Sequence, residues 1–231
     1  MQEATGPEDA PRGIDYARLY EYRHRGVDPD SRQAVWNEIA PFVYDLMGRP
    51  DRVLDPAAGW GEFINGVPAP ERWMVDAVEF PEHKRDPDVR AQFGDIRDVE
   101  LPAAHFGGVF VSNLLEHFAT QDDIAAFLGR MREVTEPGGR IVVMGPNFRY
   151  CSKVYFDFAD HVVALTHVAV GEHLYAAGYE IERVVPRFLP YSFGGLLPPS
   201  PALTRRYLHM PLAWRLLGKQ FLVIGRAPQT T

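Results

Sequence analysis

Four short runs in the first half of the chain each carry apolar residues up to a polar side chain: RVLD stops at Asp55, WMVD at Asp76, a brief run before Gly94 leads to Asp95, and GVFVS stops before Asn113. Segments of helical or glycine-rich character separate them. Short apolar runs joined by helix-length crossovers predict parallel strands, because a parallel pair cannot be closed by a tight turn. The chain is therefore read as an α/β fold, a doubly wound and mostly parallel sheet of seven strands with helices on both faces. In such a sheet a ligand sits beyond the carboxyl ends of the strands, where the three acids Asp55, Asp76 and Asp95 fall.

The remaining elements follow from local signals. A cover helix is predicted from Asp30 or Ser31 to Met47, with Val35, Ile39, Phe42, Val43, Leu46 and Met47 on one stripe, a kink at Pro41 and a stop at Gly48. A short helix ends at Val67, cut off by Pro68 and Pro70. Thr120 is the expected N-cap of another helix, Asp123 completes an approximate capping box, and Pro137-Gly138-Gly139 is expected to end it. Further strands are predicted at 140–144, 180–185 and 221–225, and a helix runs from Thr166 to Gly178. Residues 1–13 are acidic and interrupted by Pro and Gly, so they are expected to be a disordered tail. Residues 14–231 form one domain, with insertions around 146–166 and 187–219.

Composition removes several classes of function. A formal net charge of −7 over 231 residues argues against binding of nucleic acid, which depends on basic patches that displace counterions. No run approaches the ~18 apolar residues of a membrane span and no signal-peptide pattern opens the chain, so a cytoplasmic protein without stable membrane insertion is expected. Cys151 is the single cysteine, which rules out an internal disulfide.

The turn Asp55-Pro56-Ala57-Ala58-Gly59-Trp60-Gly61 is built from small residues that let a ligand approach the backbone at the start of a helix. Glycines there also serve a tight turn on steric grounds alone. Asp76 ends the next strand, where a carboxylate can accept both hydroxyls of a ribose. A nicotinamide dinucleotide fits less well, since the third glycine of G-x-G-x-x-G is Ile64.

The segments RVLDPAAGWGEF, WMVDAVEF, FGDI, GGVFVSNLLEHF, VTEPGGRIVVMGPN and QFLVIGR resemble the class I S-adenosylmethionine-dependent methyltransferases over nearly all of 52–226. The resemblance implies S-adenosylmethionine as cofactor, with S-adenosylhomocysteine as product. It implies Asp55, Ala57, Gly59 and Gly61 around the methionine moiety, Asp76 on the ribose, Asp95 and Ile96 at the adenine, and Asn113 near the sulfonium or the adenine. It also implies that the last strand is antiparallel. Ala57 stands where the family's first glycine falls, which is tolerable where φ is negative.

Methyl transfer from a sulfonium is an in-line displacement with an activated leaving group, so positioning and electrostatics supply most of the rate. A general base helps when the acceptor is a hydroxyl. His161 is the first candidate, with Asp157 or Asp160 near enough in sequence to orient it, and His117 is the second. Asp157, Asp160, His161 and His167 mix metal-ligand types, but their spacing matches no metal motif, and no metal is expected. The acceptor is expected to be a small, partly apolar metabolite, O- or N-methylated. Two further segments bear on it: the aromatic loop 187–195, and the basic amphipathic stretch 205–219, read first as a helix packed on the sheet and otherwise as a lipid-facing surface. Tyr16, Tyr20, Tyr22, Arg23 and His24 are a candidate lid or, more plainly, helical surface.

Overall fold

The computed structural model describes residues 15–23, 25–79, 84–191 and 200–229. The tail 1–13, His24 and residues 192–195 of the aromatic loop lie outside them. Seven strands form one sheet: β1 (Arg52–Asp55), β2 (Glu71–Asp76), β3 (Val89–Phe93), β4 (Phe106–Ser112), β5 (Thr135–Pro146), β6 (Glu180–Val185) and β7 (Gln220–Arg226), in the order β3-β2-β1-β4-β5-β7-β6. The pairs β1–β2, β1–β4, β2–β3 and β4–β5 are parallel, and β7 runs antiparallel between β5 and β6. The last strand thus has the expected direction. Because sheet order reverses between β1 and β4, the crevice beside their carboxyl ends is the place for a ligand.

Period-two alternation sorts the central strands between two cores. Phe106, Val109 and Val111 of β4, Ile141 and Val143 of β5, and Phe221 and Val223 of β7 face one side. Phe110, Val142, Met144, Leu222 and Ile224 face the other. The first side is covered by helices α4 (Gln121–Val134) and α6 (His167–Ala176), through Ile124, Phe127, Leu128, Met131, Val170 and Leu174. The second is covered by α2 (Pro29–Leu46) and the short α3 (Glu62–Gly66), with Val35, Trp36, Ile39, Val43 and Phe63 against the sheet. Burying each such side chain contributes about 1.5–3 kcal/mol, so packing on the two faces rather than strand pairing holds the sheet together. The end of α2 lies so near β4 that a Cβ at Gly108 would stand 2.8 Å from Met47 Sδ.

Local chemistry sets the boundaries. Asp28 caps α2 by accepting from the N–H groups of Asp30 and Ser31, and the helix runs through Pro41 to Leu46. Thr120 and Asp123 form the reciprocal capping box of α4. Changing Thr120→Ala should cost about 1 kcal/mol and lower Tm by about 2–4 °C in a calorimetric scan; an unchanged Tm removes the cap from the fold's support.

The Pro137-Gly138-Gly139 expectation needs correction. Helix α4 ends earlier, at Val134, and these residues belong to β5, which shifts register between the Phe106–Thr135 and Gly108–Arg140 pairs. The cause is Thr135, which is buried and donates its hydroxyl to the Met131 carbonyl at 2.6 Å, turning the chain into the sheet before the glycines are reached. Gly138 absorbs the irregularity at φ +80°.

The later insertions are helical. Residues 148–155 form α5 (Phe148–Tyr155), and the basic stretch divides into α7 (Pro201–Leu208) and α8 (Pro211–Leu217). Leu208 and Trp214 pack inward, and Leu212, Leu216 and Leu217 stay exposed. Among the described residues no helix is long and apolar enough to cross a membrane.

Candidate active site

Sheet order brings Asp95, Asp76, Asp55 and Asn113 to one edge in that spatial sequence, since they follow β3, β2, β1 and β4. Asp55 is 3% exposed and accepts one long hydrogen bond, 3.4 Å from the Ala57 N–H. Burial pushes its carboxyl well above the ordinary range, with the nearby charges of Asp76 and Glu62 adding to the effect. A buried acid so poorly satisfied, at the end of a central strand, is a candidate for contact with a ligand.

Asp76 holds the turn after β1 from across the crevice. Its carboxylate accepts from the Gly59 N–H at 2.7 Å and from the Val78 N–H at 2.9 Å. Burial raises its pKa, and these backbone bonds work against that. Gly59 and Gly61 sit at φ +55° and +80°, which glycine allows without strain, and their N–H groups are bonded to the Asp76 carboxylate and the Ala58 carbonyl. Among the described residues the non-glycine positions with positive φ are Arg49, Ala104 and Asn113, and Ala57 is not one of them, so its methyl group fits the turn. Ile64 is fully buried in α3.

Asn113 adopts φ +49°, an uncommon conformation for a residue other than glycine, with its N–H bonded to the Met144 carbonyl and its side chain donating to Ser112 Oγ at 2.9 Å. Asp95 is held by Arg97 through a two-pronged ion pair, which lowers its pKa to about 2. Ile96 turns into the core beneath the crevice, beside Leu54 and Val75.

Around the segment after α5 (Phe148–Tyr155) the structure gathers a different set of polar side chains from the one the sequence suggests. Asp157 is exposed, and His167 Nδ1 lies 2.9 Å from the Asn147 amide, so Asp157, Asp160, His161 and His167 do not converge. Asp160 is buried and forms an ion pair with Arg23 of α1 (Tyr16–Arg23). It meets His117 rather than orienting His161: His117 Nδ1 is 2.9 Å from the Asp160 carbonyl and 3.4 Å from its carboxylate. Arg23 also lies over the Phe158 ring at 4.9 Å, tying α1 to this segment, while Tyr22 is exposed.

His161 stacks on Phe158 with ring centroids 5.0 Å apart and meets Tyr155 at 4.9 Å and His117 at 5.0 Å edge-on. Burial, then the neighbouring His117, holds its pKa down to about 4, against the opposing pull of Asp160. Glu116, between β4 and this pair, is buried, and desolvation raises its carboxyl. Sequence reasoning passed over Glu116 because a glutamate in LLEHF reads as ordinary surface. It also missed Arg32 in α2, paired with the buried Glu62 at 2.6 Å, for want of any local signal. Cys151 is buried, which raises its thiol to about 11 and removes it as a nucleophile.

The sheet order and this crevice define an S-adenosylmethionine methyltransferase architecture. Comparison with known proteins agrees: a family model described as a methyltransferase domain matches residues 70–143. Similar solved structures include a SAM-dependent methyltransferase from Archaeoglobus fulgidus (18% identity, 92% of this chain and 100% of that one, TM-score 0.63). Another is 1,6-didemethyltoxoflavin-N1-methyltransferase of Burkholderia thailandensis, solved with 1,6-didemethyltoxoflavin and S-adenosylhomocysteine (20% identity, 96% and 94% covered, TM-score 0.59). A third is the cyclase SpnF (13% identity, 84% and 81% covered, TM-score 0.59). Among curated proteins none matches the chain. Residues 70–143 thus match a methyltransferase-domain model, and the three solved structures, each at 20% identity or less, share the fold of this chain.

Proposed function

We propose that this protein transfers the methyl group of S-adenosylmethionine to an oxygen or nitrogen of a small, partly apolar acceptor. The observation that carries the reading is the buried, under-bonded Asp55 beside Gly59 and Gly61, flanked by Asp76 and Asn113, at the reversal point of a methyltransferase sheet. These residues fit the cofactor: Asp55 and the bare backbone of Gly59 and Gly61 receive the amino-acid end, Asp76 the ribose hydroxyls, Asp95 the adenine end, and Asn113 the region of the sulfonium. Bound there, S-adenosylmethionine supplies a methyl group already activated for displacement. The protein's part is to align the acceptor and keep water out. The acceptor falls beside His117, His161 and the aromatic rings of Phe158 and Tyr155, a lining suited to a small apolar body with one polar group. With its pKa held down to about 4, His161 is neutral at physiological pH and carries a free lone pair, but it is a weak base, so a hydroxyl acceptor would have to be acidified by something else for His161 to take its proton. The net charge of −7 supports a metabolite over nucleic acid.

Incubation with methyl-labelled S-adenosylmethionine and a panel of small hydroxyl- and amine-bearing acceptors tests this. Label transfer with release of S-adenosylhomocysteine is expected. Saturable cofactor binding with no transfer to a ligand that binds tightly would instead favour a non-methylating catalyst, a use of the fold that the likeness to a cyclase makes concrete.

The raised pKa of Asp76 gives a pH prediction. Its ionised form is the one that accepts ribose hydroxyls, and burial makes that form harder to keep. Cofactor affinity should be flat at neutral pH and fall as pH drops through the raised pKa, at a higher pH than an ordinary carboxylate at ~4 would give. Calorimetry across that range checks it, and an Asp76→Asn variant should lose this component. The same acid limb in the variant would assign it elsewhere.

A further inference from the structure

We infer that Glu116, His117 and His161 form a binding site for a divalent first-row transition cation of the Zn²⁺ or Mn²⁺ kind, on the acceptor side of the crevice. The three residues bring one ligand atom each to within 4.8 Å of one another. Bonds of about 2.0–2.2 Å to one ion place tetrahedral donors about 3.4 Å apart, so side-chain rotations on the order of 1 Å close the set. Two imidazoles and one carboxylate suit zinc, manganese or iron rather than calcium or magnesium, which prefer all-oxygen shells.

The surroundings set this cluster apart from a solvated acidic surface. Glu116 is 2% exposed, so its carboxylate is not one of the solvated acids of a protein surface. His161 Nδ1 is buried and makes no hydrogen bond of normal geometry, although the Tyr155 backbone lies close enough to act on the ring, so the nitrogen is open to a better partner. His117 is already oriented. Its Nδ1 faces the Asp160 carbonyl at 2.9 Å, which fixes the proton there and leaves the Nε2 lone pair for a ligand, and Asp160 is in turn held by Arg23. A ring nitrogen anchored through its opposite nitrogen is the usual support of a metal-bound histidine. The trio is assembled from the turn after β4 and the segment after α5, and Glu116 Oε2 lies 3.5 Å from where a Cβ on Gly145 of β5 would stand. It therefore sits at the carboxyl ends of β4 and β5.

Three protein ligands leave at least one position for water or an acceptor oxygen. What the cation does there rests on the methyl-transfer reading, whereas its binding does not. A hydroxyl bound to it loses its proton more readily. The proton passes to solvent, the C–S bond breaks with both electrons going to sulfur, and the oxygen forms the new C–O bond. The acceptor class is accordingly a hydroxyl-bearing metabolite.

The test uses the full chain, stripped with a chelator and titrated with Co²⁺, read by its visible ligand-field band, and with Zn²⁺, read by calorimetry. One equivalent should bind, and Glu116→Gln, His117→Gln and His161→Gln should each weaken binding at least ~10-fold. Cofactor affinity, measured on the same samples, should not change. Wild-type protein gives an independent reading should a variant misfold: Co²⁺ should broaden the imidazole signals of His117 and His161 before those of His105, His173 and His209. Absence of a band and of heat, affinity indifferent to the three substitutions, or uniform broadening of all imidazoles overturns the site. A wild-type chain that takes up the cation but binds no S-adenosylmethionine would sink the methyl-transfer reading and leave the cation site standing.

Discussion

Replacing His161 by alanine is expected to lower turnover on the true acceptor by roughly 10² to 10⁴-fold and to leave cofactor affinity nearly unchanged. The separation of effects follows from the architecture. The cofactor candidates lie after β1, β2, β3 and β4, while His161 belongs to the segment after α5, fixed between Phe158, Tyr155 and His117. Whether its free nitrogen accepts the proton of a hydroxyl acceptor or ligates a cation that acidifies that hydroxyl, its loss falls on the chemical step. The two roles part on one measurement: a chelator should abolish wild-type activity, with Zn²⁺ or Mn²⁺ restoring it, when His161 is a ligand. Chelation leaves activity intact when it is a base. Full turnover in His161→Ala removes the residue from the chemistry under either role, and simultaneous loss of cofactor binding and of Tm shows a purely structural part.

Changing Asp76→Ala should weaken S-adenosylmethionine binding by about 1.5–3 kcal/mol, or roughly 10- to 150-fold in Kd. Two contributions combine. Hydrogen bonds from hydroxyls to an ionised carboxylate are stronger than neutral ones. The same carboxylate holds the Gly59 N–H at 2.7 Å, so its removal also loosens the turn proposed to hold the other end of the cofactor. Asp76→Asn keeps an acceptor for Gly59 and drops only the charge, so it should weaken binding less than alanine does. Equal Kd for wild type and Asp76→Ala in calorimetry would take Asp76 out of the site, and equal losses in both variants would assign the whole effect to charge.

The placement of the candidate cofactor residues at strand ends was legible in the sequence because it is local. A strand end fixes where its last residue points, so Asp55, Asp76 and Asn113 needed only the strands to be found, and the strands announced themselves through apolar runs bounded by turn residues. The Thr120–Asp123 capping box was equally local. Local reading failed where a buried side chain overrode a turn signal: Thr135 drew the chain into β5 ahead of Pro137-Gly138-Gly139. It was silent on the orientation of Ile96, which turns into the core, and on Arg97, which holds Asp95.

The acceptor side was decided by tertiary structure. Asp157 and Asp160 neighbour His161 along the chain, yet Asp157 faces solvent and Asp160 meets Arg23 and His117. Glu116, far from His161 in sequence, brings a carboxylate oxygen within 4.8 Å of a His161 ring nitrogen. Periodicity determines which face of an element is apolar and which residue ends it, and from these the sheet, its two cores and the cofactor edge follow. Which polar side chains meet across separate elements depends on how α1, the turn after β4 and the segment after α5 dock together, and that docking is fixed by three-dimensional packing of surfaces that leave no period in the sequence.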